Sequence, residues 1–72
     1  MSEIRRELAV LAAPYRREIR MEDAEFESGM HMLRMIIREG HRITQVDLDA
    51  DTARALSAVM LNWAGSQPGQ GE

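Results

Sequence analysis

The chain has 72 residues, among them nine basic residues that are all Arg, twelve acidic residues, two His and no Cys, for a formal net charge of −3. A chain this short holds one domain and buries only about 60% of the surface its unfolded form exposes. Without Cys it has neither a disulfide framework nor a thiolate zinc site to brace it. Its acidic balance makes it a poor generic binder of nucleic acid or anionic membrane, and no stretch approaches the roughly 20 apolar residues of a membrane-spanning helix.

The apolar run at residues 8–13, bounded by Glu7 and Pro14, is shorter than the roughly 7–15 residues of a signal-peptide core. The expectation is a cytoplasmic protein. The first predicted helix covers residues 2–12. Ser2 can cap it, Glu3 suits its positive N-terminus, and Ile4, Leu8, Leu11 and Ala12 recur at helical spacing on one face. Pro14 then ends or kinks it, because the residue before a proline is pushed out of the α region.

Residues 15–21 read two ways. Tyr15, Arg17, Ile19 and Met21 alternate with charged neighbours as in a short strand. Tyr15 and Ile19 equally extend the next helical stripe, with Pro14 tolerated as a first helical residue. The second predicted helix covers residues 22–39, or 14–39 if that extension holds. Glu22, Asp23, Glu25 and Glu27 gather at its start and Arg34 and Arg38 near its end, the bias expected of a helix macrodipole. Gly40 falls where a C-terminal cap is wanted. Its apolar arc, through Met30, Ile37, Phe26, Leu33, Gly29, Ile36 and Met32, spans about 160°, wider than one neighbouring helix covers.

Residues 42–48 have strand character in Ile43, Thr44, Val46 and Leu48. Asp49 or Asp51 then caps a third helix over residues 50–64, with Ala53, Leu56, Val59, Met60 and Trp63 as its stripe and Gly65 as its stop. Residues 65–72 are rich in Gly, Gln and Pro and read as a disordered tail. The fold expected is therefore mainly α: one small domain, residues 1–64, of three helices (2–12, 14/22–39, 50–64) completed by oligomerisation. The alternative is an α+β arrangement with short strands near 15–21 and 42–48 flanking the central helix.

The chemistry-bearing spacings are weak. Asp47, Asp49 and Asp51 open like a calcium loop, but Thr52 stands at the turn glycine and Ala58 at the bidentate Glu. Helix capping is the preferred role. Glu27 and His31 stand four residues apart, on the polar side of the expected helix with Arg34 and Arg38, as a solvated ladder rather than a metal site. The Ser residues sit in no nucleophile context and no Gly-rich loop cradles phosphate. No catalytic residue, cofactor or metal is expected.

Two surfaces remain. Met35 and Leu61 fall off the main apolar stripes and, with Met32 at the margin of the central arc, suggest a second contact surface, for another copy or a larger protein partner. On a continuous helix Arg16, Arg20, Arg34 and Arg38 would line up as a stripe able to meet phosphates. The function expected is a non-enzymatic protein–protein interaction module: a regulator, inhibitor or accessory subunit. The competing function is a nucleic-acid-binding regulator using that Arg stripe.

Overall fold

A computed structural model describes residues 3–69. Four strands, β1 (Glu3–Ala13), β2 (Arg17–Phe26), β3 (His31–Glu39) and β4 (Arg42–Leu48), are followed by one helix, α1 (Ala50–Gly65). The strands form a single antiparallel sheet in sequence order, β1-β2-β3-β4.

Tight turns make the meander. Residues 14–16 join β1 to β2 with Tyr15 and Arg16 both in the left-handed region, at φ 64 and 60. Between β2 and β3 the Gly29 amide donates to the Phe26 carbonyl at 2.9 Å, and Gly29 has φ 90. A turn followed by a left-handed glycine is a standard hairpin closure. Gly40 and His41 alone separate the paired residues Glu39 and Arg42. Gly40 has φ 63, while His41 is not among the residues of positive φ, the pattern of a two-residue turn that wants glycine first.

These turns overturn the three-helix expectation. The segment expected as helix 2–12 is strand β1 over its described length; Ser2, its supposed cap, lies outside the described residues. The central helix of residues 22–39, common to both readings of the sequence, is a β-hairpin instead. Its acidic start and basic end have another origin: Glu22 stands opposite Arg34 in the register of two antiparallel strands. A hairpin that pairs its ends produces the same order of charges along the chain as a helix dipole. The alternative α+β arrangement fails for the same reason, since the strands at 15–21 and 42–48 flank another strand. Of the expected helices only the last forms. The protein is mainly β.

Period-two alternation gives the sheet two unlike faces. One carries Ile19 and Met21 of β2, Leu33, Met35 and Ile37 of β3, and Val46 and Leu48 of β4, placed side by side by the register. The other carries Arg20, Glu22, Arg34, Arg38 and Asp47. Strand β1 obeys the same division through an irregularity: the register shifts between Glu7 and Ala9, leaving Leu8 as an extra residue. The insertion reverses the parity of the second half of the strand. Ala9 and Leu11 thereby join the apolar face opposite Met21 and Ile19, while Val10 faces the charged side opposite Arg20.

Helix α1 starts at Asp49, whose carboxylate accepts the Thr52 amide at 2.8 Å. After the helix ends, the Ser66 amide donates to the Trp63 carbonyl at 3.1 Å. Of the tail expected at residues 65–72, Gln70, Gly71 and Glu72 lie outside the described residues. The helix meets the sheet chiefly at β3 and buries none of its own residues. Among the described residues only Ala24 and Arg34 are buried, and no large side chain is fully enclosed. The radius of gyration is 14.3 Å, where a compact chain of this length has about 11 Å. The accessible surface is 5949 Å², against about 4,500 Å² for a compact monomer of this size.

Candidate interaction surface

The apolar face and α1 enclose an open groove of about 700 Å³. Its floor is Met21, Leu33, Met35 and Leu48, one or two residues from each of β2, β3 and β4; its wall is Leu56, Met60 and Leu61 of α1. The strands place the floor residues because Met21 pairs with Met35, and Leu33 with Leu48. The wall residues recur at helical spacing. Residues 55–65 contain no charged side chain at all. Leu61 is 77% exposed, Val59 66% and Trp63 65%. Large apolar groups standing together in water mark a contact surface, whereas scattered ones do not.

Ion pairs edge the apolar face at both ends. At one end His31 Nδ1 lies 2.9 Å from Asp23 Oδ1, Arg6 Nη1 donates to Asp23 Oδ2 at 3.3 Å, and Arg6 Nη2 is 3.2 Å from Glu25. The hydrogen bond with His31, and then its charge and that of Arg6, hold the Asp23 carboxyl below its ordinary range despite some opposing desolvation. At the other end Arg17 Nε donates to Glu39 at 2.5 Å, and its guanidinium lies 5.5 Å from the Tyr15 ring centre.

The opposite face is organised by Arg34. Its Nε and Nη2 donate to the two oxygens of Asp47 at 2.9 and 3.0 Å, and its Nη1 reaches Glu3 on the far edge strand. One buried guanidinium thus joins β3 to β4 and to β1, across β2. Hydrogen bonds to Asp47 and then Glu3 raise its pKa further, so it stays charged at any working pH. The bond from Arg34 likewise lowers the Asp47 carboxyl. Beside this pair Glu22, opposite Arg34 in the register, keeps a buried oxygen with no hydrogen-bond partner.

Because Asp23 and Asp47 are both depressed in the folded state, their contribution is fully present above the unfolded carboxyl value of about 3.9 and is lost as pH falls through the lower folded values. Thermal melts followed by circular dichroism should therefore hold steady from neutrality to about pH 5 and then fall below about pH 4. Asp47→Asn should make that acid limb shallower, the rest coming from Asp23 and from Asp49, whose carboxyl the Thr52 bonds also lower. An unchanged limb would show that the Arg34–Asp47 pair contributes nothing to it.

The residues singled out from the sequence are redistributed. Met35 and Leu61 both line the groove. Met32 pairs with Ala24 on the charged face and does not join them. Arg20, Arg34 and Arg38 share the charged face, but Arg16 stands in the first turn, and the continuous helix that would have aligned the four does not exist. Arg20 lies 3.5 Å from Glu7, and Arg34 is committed to Glu3 and Asp47. Glu27 and His31 are not on a helix: Glu27 is in the second turn and His31 begins β3. Asp47, Asp49 and Asp51 have separate roles, holding Arg34, capping α1 and pairing with Arg54 at 2.7 Å. Among the described residues no group of three or more His, Asp or Glu is placed to hold a metal ion.

Sequence reasoning missed that Met21, Leu33, Leu48 and Met60 line an open groove, and that Val59 and Trp63 are exposed rather than core. One signal could have found this: the last eleven residues of the helix, 55–65, carry no charge and so no strongly hydrated side opposite the apolar one.

Fold and surface together define a four-stranded antiparallel meander with a C-terminal helix and an open apolar groove between them. The chain belongs to a family of unknown function, DUF6967, whose sequence profile matches residues 1–66 and so spans both sheet and helix. No curated protein and no solved structure matches the chain. Among the described residues no helix is long and apolar enough to cross a membrane.

Proposed function

We propose that this protein is a non-enzymatic protein–protein interaction module, a regulator, inhibitor or accessory subunit, that acts by binding through the groove between α1 and the sheet. One observation carries the reading. Leu56, Met60, Leu61, Leu33 and Met35 converge on a groove that the chain itself leaves open, in a molecule with almost no closed core. Desolvating that surface is favourable in proportion to the apolar area it removes from water. A cytoplasmic setting fits the composition, since secreted domains of this size are commonly braced by disulfides and this chain has no Cys. The nucleic-acid reading draws less support, because acidic partners are interleaved with the Arg residues of the charged face.

The test is capture from the native host with the full chain as bait, beside a Leu61→Asp bait. Leu61 is 77% exposed, so the substitution should leave the fold intact and remove whatever the groove holds. Recovery of the same proteins by both baits, or of none by either, would sink the reading.

A further inference from the structure

We infer that a second copy of this chain covers the apolar face and closes the open side of the groove, packed apolar face to apolar face about a twofold axis. This rests on the interaction-module reading and names its partner. Two surfaces are left unmet within one copy. The first is the flank of α1 beside the groove: Val59 lies about 60° around the helix from the groove-lining Leu56 and about 100° from Met60, and Val59 and Trp63 form an adjacent pair one turn apart, 66% and 65% exposed. The second is the β1 side of the apolar face. Ile4 and Leu11 lie there in register with Glu25 and Ile19, beyond the reach of α1, and are 54% and 49% exposed.

A helix flank needs an apolar surface, and an apolar half-sheet needs a cover. A twofold axis satisfies both at once, because each copy offers its flank to the other's half-sheet and receives the same in return. The area agrees. The chain exposes 5949 Å², an excess of about 1,400 Å² over a compact monomer of its size. Obligate homodimers remove about 1,000–2,500 Å² from each partner. Charge does not oppose the approach, since Asp23 is matched by His31 and Arg6, and Glu39 by Arg17, within each copy.

The experiment is sedimentation of the full chain between about 1 and 100 µM, with fluorescence of Trp63, the single Trp. The expected result is twice the chain mass, with Trp63 emission moving to longer wavelength on dilution as the indole returns to water. Val59→Glu should weaken self-association at least about 100-fold while keeping the sheet's circular dichroism, because symmetry buries the new charge twice. Val10→Glu, on the charged face, should leave the mass doubled. Wild-type chain that stays monomeric at the highest concentration overturns the inference, and so does dissociation by Val10→Glu but not by Val59→Glu. If Val59→Glu also unfolds, a wild-type melting temperature that rises with concentration supports the dimer, and one that does not overturns it. A monomer that still retains a different protein through Leu61 leaves the module standing and removes the second copy as its partner.

Discussion

Arg34→Met is expected to lower stability by about 3 kcal/mol, the lower end of the range for breaking a buried ion pair. The lower end applies because the Asp47 and Glu3 side chains are each 29% exposed, while that of Arg34 is 9% exposed. Methionine keeps most of the volume over the sheet, so the loss reports charge rather than packing. The variant retains a set of carboxylates, Glu3, Asp47 and the buried oxygen of Glu22, with their cation gone. A core this small supplies only about 3–5 kcal/mol in total, so much of the variant should be unfolded at room temperature. Urea melts of wild type and variant measure the difference. A second change, Asp47→Leu on the same background, should restore part of the stability, because an apolar pair leaves no charge stranded. A loss under about 1 kcal/mol would place the pair among the surface ion pairs that contribute little.

Leu33→Asp should unfold the chain outright. Leu33 lies in the groove floor, in register with Asp23 on one side and Leu48 on the other. The substitution removes the apolar contact, worth about 1.5–3 kcal/mol for a fully buried Leu and less for this half-buried one. It also sets a second carboxylate directly across from Asp23, and like charges in that position are destabilising. Leu33→Asn separates the two effects, since it is polar without repelling. Acid should partly rescue the Asp variant and not the Asn variant, because protonation removes the repulsion. Loss of the sheet's circular dichroism at neutral pH is the readout. A folded Leu33→Asp protein would mean that this face contributes nothing to stability.

The sequence made α1 legible and hid the sheet, for identifiable reasons. Asp49 caps the segment as its sequence implies, but the helix runs through Gly65 to a cap at Ser66, and of its stripe Ala53, Leu56 and Met60 line the groove while Val59 and Trp63 stand exposed. Residues 22–39 satisfied helical tests by coincidence. Phe26, Met30, Leu33 and Ile37 recur at helical spacing, yet Phe26 falls on the charged face, Met30 in a turn, and Leu33 and Ile37 on the apolar face. Ser28-Gly29, a dipeptide typical of turns, was the available warning. The first turn was marked only by Pro14, since two non-glycine residues, Tyr15 and Arg16, adopt left-handed backbone that ordinarily costs about 1 kcal/mol or more each. Of the surface, Met35 and Leu61 stood out by falling off helical stripes. They do meet at the groove, but through a strand and a helix, which a helix-only reading cannot bring together.

The inserted Leu8 has a bearing on how the chain ages in solution. An exposed edge strand of eleven residues with an apolar second half is a template on which further chains can add, end to end, into fibrils. The break at Leu8 divides its ladder into residues 3–7 and 9–13, and a bulge twists an edge away from flat pairing. Neither stretch reaches the six or seven residues of a typical fibril-forming segment. The same residue that sorts Leu11 from Val10 therefore limits growth from the edge, favouring closed assemblies over open filaments.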